Sequence, residues 1–195
     1  LFQTIGAVGS VLGLLVIPIL SKWFNKKVIY QISLIATIVG YVLMYIFGPV
    51  LKMTIALDIA YIISSTGIAA MFVGQTVFLA DIVDYGEFKN AERNESITFS
   101  MKGFLQKMAY TIQTLVLFGG LAAMNYNEQI TSATKQINDT TKTGIGIICF
   151  AVPPVLILIS LIVFTAKFKL HGDLADQVHD HIVTKRASEA ETNEQ

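Results

Sequence analysis

Five stretches of this chain stay largely apolar for about the 20 residues that a transmembrane helix requires. They cover residues 1–20, 28–47, 54–80, 97–124 and 143–166. Nothing else in the sequence constrains the fold as strongly, because backbone polar groups in hydrocarbon must be satisfied within their own segment, which makes such stretches helices. Charged residues form 14% of the 195, against roughly 25% in a soluble domain. They crowd into short connectors and the last two dozen positions. That pattern excludes a disordered chain and a typical soluble enzyme, and a single cysteine, Cys149, excludes a disulfide scaffold. The expectation is an all-α integral membrane protein of five transmembrane helices over residues 1–172, followed by a polar tail, 173–195.

Charge placement orients the spans. Residues 21–27, the connector 81–96 and the tail after Ala166 hold nine lysines and arginines, whereas the opposite side holds Lys52, Lys135 and Lys142. The positive-inside rule makes the first side cytoplasmic, and with it the C-terminus. The chain opens Leu1-Phe2-Gln3-Thr4, already apolar, without the basic lead-in or cleavage site of a signal peptide. It is therefore expected to begin partway along a longer protein. Acids and bases balance at 14 each, so no global charge draws the chain to nucleic acid. The histidines, His171, His179 and His181, sit in the tail without a cysteine and read as solvated rather than metal-binding. Asn138-Asp139-Thr140 matches a glycosylation sequon, a pattern common by chance.

The polar residues left inside the spans carry the chemistry. Lys107 lies about 15 Å into the fourth span at 1.5 Å per residue, near the midplane, where an ammonium facing lipid costs at least about 2.5 kcal/mol. It needs a cavity, a bundle interior or a carboxylate partner, and no acid within these spans supplies one; a snorkelling lysine is the plainer alternative. Lys102, nearer the cytoplasmic end, is able to snorkel. Lys102, Gln106, Tyr110 and Gln113 recur at helical spacing, a stripe that faces protein or water, either to bind a hydroxyl-rich or ionic solute or to join helices. On the third span Phe72 and Gln75 share a face. An aromatic beside an amide suits a sugar ring, although a membrane Phe also serves simply as packing. Asp81 and Asp84 share a face if the helix continues, with Arg93 in reach, which makes either a breakable latch or a solvated loop.

Helix packing is marked as well. Gly6, Gly9 and Gly13 permit close approach in the first span, and Pro153-Pro154 should kink the fifth. Leu170, Leu174, Val178 and Ile182 form a short amphipathic stripe suited to the membrane surface. No nucleotide fingerprint, zinc spacing or nucleophile elbow occurs, so no catalytic residue, metal ligand or cofactor is expected.

The run Ala80-Asp81-Ile82-Val83-Asp84-Tyr85-Gly86-Glu87-Phe88-Lys89, followed by Arg93-Asn94-Glu95-Ser96 and Phe104-Leu105-Gln106-Lys107, resembles the signature of the glycoside–pentoside–hexuronide:cation symporters. This is the melibiose permease-like family of the major facilitator superfamily. The resemblance covers nearly the whole chain. It implies helices eight to twelve of a twelve-helix fold, five of the six helices of the C-terminal bundle, in a multi-pass carrier of the inner (plasma) membrane. It implies cation-coupled symport of a sugar or glycoside by alternating access, with Phe72, Gln75, Lys102, Gly103, Gln106 and Lys107 at the substrate and Asp81, Asp84 and Arg93 at a cytoplasmic gate. The coupling cation, Na⁺ or H⁺, would be held by carboxylates of a missing N-terminal half. Phe72 stands where melibiose permease has tryptophan, and Lys102-Gly103 replace its Gln-Thr, so the sugar stays open. The alternatives are a carrier of the same fold for a lipid or sulfonated sugar, and a non-transporting membrane subunit.

Overall fold

The structure, a computed structural model, describes residues 2–51, 53–90, 92–124, 126, 139–168, 175, 177–178 and 180–186. Among the described residues every regular element is helical. The sequon's Asn138, the tail's Leu170 and Leu174, and His171 and His179 lie outside them.

Helix α1 spans Phe2–Leu20 and α2 Lys26–Tyr45, the latter running into a π turn, Ile46–Val50. Helix α3 spans Thr54–Asn90 and α4 Glu95–Ala123. Helix α5 covers Asp139–Gly146 and passes through a second π turn, Ile147–Ala151, into α6, Val152–Lys167. Four helical stretches are both long and apolar enough to cross a membrane: Gln3–Leu20, Lys26–Gly48, Thr54–Asn90 and Thr141–Lys167. Helix α4 has the length, 29 residues, but its polar stripes and two lysines dilute its hydropathy.

Helix α3 is the axis of the bundle, with α1 and α2 packed along it and α6 against α2. Glycine sets how closely they approach. A Cβ on Gly9 would stand 2.8 Å from the Ile62 carbonyl oxygen, and one on Gly40 would stand 2.6 Å from the Ser64 backbone. The Thr66 hydroxyl uses the first of these approaches to donate to the Gly9 carbonyl at 2.9 Å. The buried centre is small and aromatic: Tyr30, Leu34 and Phe78, backed by Met71, Ile157, Leu161, Phe164 and Phe168. Two side-chain bonds tie α2 to α6, Lys27 to the Phe168 carbonyl at 3.0 Å and Gln31 to the Thr165 hydroxyl at 2.9 Å.

The paired prolines, expected to kink the fifth span, stand in the first turn of α6, where a missing N–H is harmless, directly after the π turn Ile147–Ala151. The helix of the third span runs on past Ala80 to Asn90. At 37 residues α3 is about 55 Å long, against a hydrocarbon core of about 30 Å. Its last turns therefore project into water, carrying Asp81, Asp84 and Glu87 on helix rather than on loop.

Candidate functional site

Helix α4 buries none of its residues. Between it and the α2–α3–α6 wall lies a cavity of about 910 Å³, within the roughly 300–1,000 Å³ usual for small-molecule sites. One wall is aromatic. Tyr30, Phe78, Phe164 and Phe168 form a chain of ring contacts with centroids 4.7 to 5.3 Å apart, and Phe72 lies on the same side of the cavity. The opposite wall is the polar stripe of α4: Lys102, Gln106, Tyr110 and Gln113, while Gln75 lies between Phe72 and Phe78 on the α3 side. The Lys102 ammonium reaches across to donate to the Thr76 hydroxyl at 3.1 Å, and the Gln106 amide donates to the Tyr110 hydroxyl at 3.2 Å. One cavity thus offers flat apolar faces against amides, hydroxyls and one cation.

Of the residues singled out from sequence, Phe72, Gln75, Lys102 and Gln106 meet in this cavity. Gly103 and Lys107 do not line it. They lie four apart on a neighbouring face of α4 with Ser100, Thr111 and Thr114. A Cβ on Gly103 would meet nothing within 4 Å, and the Lys107 ammonium has no partner among the described residues. Tyr30, Phe78, Phe164 and Phe168 were not singled out. In an apolar chain nothing in the spacing separates an aromatic facing a cavity from one facing lipid.

At the charged end of α3, the three acids and Arg93 come together with partners that sequence order conceals. Arg93 Nη1 donates to Asp84 at 3.2 Å and to Glu87 at 3.0 Å, while its Nε donates to Glu95 at 3.1 Å. Asp81 is bound instead by Lys26, at 3.0 and 3.2 Å to its two oxygens. The tail closes the cluster. Lys185 Nζ lies 2.6 Å from Glu87, Arg186 lies 3.4 Å from Asp84, and the His181 ring meets Phe88 edge-on. Val178 and Ile182 are buried, as are Val83 and Glu87 on α3. Val178 and Ile182, the described part of the tail's apolar stripe, are thus covered by protein. The Lys185 hydrogen bond, helped by Arg93 and opposed by burial, holds the Glu87 carboxyl below the usual carboxylate range. Among the described residues no cluster of His, Cys, Asp and Glu is arranged to hold a metal.

Residues 1–171 match the family model described as MFS/sugar transport protein. The chain is 24% identical to a lactose permease of Leuconostoc lactis over 98% of the chain and 30% of that relative. It is 28% identical to an uncharacterized symporter, YjmB, of Bacillus subtilis (strain 168), over 89% of the chain and 35% of the relative. A lactose permease of Lactobacillus helveticus is 23% identical over 95% of the chain and 28% of its own length. The chain spans about a third of the length of these curated relatives.

Proposed function

Since the chain belongs to the MFS/sugar transport protein family, whose relatives here are carriers and not enzymes, we propose that it forms part of a cation-coupled sugar symporter. In this reading α1, α2, α3, α4 and the α5–α6 stretch are five spans, helices eight to twelve of a twelve-helix carrier in the plasma membrane. The charged end, with the tail, faces the cytoplasm. The observation that carries the proposal is the cavity itself, an aromatic wall of Phe72, Tyr30 and Phe78, with Gln75 among them, facing Lys102 and Gln106 of α4. A pyranose fits such a space, with its C–H face on the rings and its hydroxyls on the amides.

Alternating access needs a site near the midplane and a closure that opens on one side at a time. The Asp84–Arg93–Glu87 cluster and the Lys26–Asp81 pair stand at the mouth, where ion pairs between neighbouring elements open and reform at small net cost. Lys107 and Gly103 face away from the described bundle, which suits a second bundle bearing carboxylates. There Lys107 would compete with Na⁺ or H⁺ for the same negative charge and so tie cation release to sugar occupancy.

The test uses the whole carrier that contains this chain. Lys107→Ala should reach the membrane at wild-type amounts and lose gradient-driven accumulation of sugar. Wild-type accumulation by that variant would sink the assignment. Counterflow of labelled glycosides in Na⁺, Li⁺ and acidic media then identifies the cation.

A further inference from the structure

One corner of the charged end is left open by the described bundle. From Ser21 to Lys27 the chain turns from α1 into α2, with Lys22, Lys26 and Lys27 and no acid. At the tip of that turn Trp23 is 82% exposed and Phe24 50%. Two large rings in water are unfavourable, whereas aromatic rings at the boundary of a bilayer are preferred. The boundary lies at this level, because the apolar stretches Lys26–Gly48 and Thr141–Lys167, each long enough to cross a membrane, end here at Lys26 and Lys167. The two ends stand side by side. Lys27 donates to the Phe168 carbonyl at 3.0 Å, and Gln31 donates to the Thr165 hydroxyl at 2.9 Å.

The lysines of this corner are only partly engaged by protein. Lys26 binds Asp81 at 3.0 Å. Lys22, Lys27 and Lys167 have no acidic partner among the described residues, and Lys27 keeps two of its three hydrogens. Beyond them both helices turn apolar faces outward. Ile32, Ile35 and Val39 are exposed on α2, and Leu156, Ile159 and Val163 on α6, where Lys167 continues the stripe at four-residue spacing. Cations for a phosphate thus stand at the foot of two apolar stripes, beside rings suited to the interface. A soluble phosphate would use the lysines alone, whereas an anionic amphiphile uses all three features.

We propose that this corner is a binding site for an anionic glycerophospholipid. The phosphodiester sits on Lys27 and Lys167, the acyl chains lie along the α2 and α6 stripes, and Trp23 and Phe24 rest among neighbouring headgroups. Lysines beside a membrane attract headgroups of net negative charge, and ammonium–phosphate hydrogen bonds are charge-assisted. A zwitterionic headgroup offers the same phosphate with its own ammonium beside it and gains less. The ligand is a component of the bilayer, not a transported solute, so the site stands whether or not the transport reading above does.

The test titrates the whole protein that contains this chain, delipidated in detergent, with phosphatidylglycerol or phosphatidylcholine of matched acyl chains. Native mass spectrometry counts the lipid bound. Wild type should take up its first phosphatidylglycerol at least about tenfold more tightly than its first phosphatidylcholine. The double variant Lys27→Gln/Lys167→Gln should bring that ratio close to one. Lys89→Gln removes the same charge from the exposed end of α3, and should leave the ratio as it is. Trp23→Ala should weaken both lipids to a similar extent. Because each ratio is read within one variant, a loss of folded protein does not mimic the effect. A wild-type ratio near one, as when another part of the protein covers the corner, overturns the proposal. So does an unchanged ratio in the double variant, or an equal fall in Lys89→Gln, which would show diffuse attraction rather than a site. Displacement of the phosphatidylglycerol by an excess of glycerol 3-phosphate would mark a soluble-phosphate site and overturn the lipid.

Discussion

Glu87 shows how one residue changes meaning when its surroundings are known. In the connector it is one of five acids with nothing to rank it. In the fold it is the buried one, with a side chain 9% exposed between Lys185 and Arg93, which are 36% and 41% exposed. Its pKa is lowered, chiefly by the Lys185 hydrogen bond, and the sign of the linkage follows. The stabilisation is present above the ordinary carboxylate pKa and is lost as pH falls through the depressed value. Docking of the tail should therefore survive mild acid and fail only well below the ordinary carboxylate range. Glu87→Gln should release the tail at neutral pH, at a cost on the order of 1–2 kcal/mol once the exposure of both cations is allowed for. Hydrogen exchange over residues 180–186 measures it. An increase of about tenfold is expected for Glu87→Gln, with little change for Glu92→Gln, whose side chain is exposed.

At the scale of the helix, what decides packing is how near two backbones come. Gly9 sits where a side chain would collide with the Ile62 carbonyl and the Ser65 hydroxyl, whereas a Cβ on Gly119 would meet nothing within 4 Å. Gly9→Leu should therefore destabilise the bundle by about 1–3 kcal/mol through overpacking, lowering the thermal midpoint in detergent. Gly119→Ala should be neutral or slightly stabilising, since alanine is the better helix former. Equal midpoints for the two variants would show that α1 does not seat on α3 this way. This packing was legible in the sequence, because the spacing of Gly9 and Gly13 is itself the signal. That Phe72 and Gln75 share one face of α3, and Lys102 and Gln106 one face of α4, was also legible, but that the two faces line one cavity was expected only from the family resemblance. The aromatic wall was not legible. Tyr30, Phe78 and Phe164 come from three helices, and only the three-dimensional arrangement brings their rings together. The Lys26–Asp81 pair bridges 55 positions, and Lys185 and Glu87 meet only because the tail turns back onto α3. The π turns that follow α2 and precede α6 have no sequence periodicity to announce them.

Across the whole molecule, α4 is the element whose surroundings are least filled by the described bundle, and its sequence says what each side expects. One face, Lys102, Gln106, Tyr110 and Gln113, looks into the cavity. A second, Ser100, Gly103, Lys107, Thr111 and Thr114, is polar, and apart from the half-buried Gly103 its residues are exposed. A third, Phe104, Met108, Ile112 and Leu115, is apolar and exposed. A helix lying in water has no reason to keep the last two apart, whereas a span set between lipid and a water-filled path does. The three faces also explain why α4 falls short of the hydropathy of the other spans while remaining long enough to cross. Single cysteines placed in the whole carrier, with Cys149→Ala as background, separate the faces by their reaction with a membrane-impermeant maleimide. Cysteines at Gly103, Thr111 and Thr114 should be labelled and should be protected when solute is bound. Cysteines at Phe104, Met108 and Ile112 should stay unlabelled until the membrane is dissolved in denaturant. Labelling of all six positions alike would place α4 outside the bilayer and reduce the spans to the four long apolar stretches.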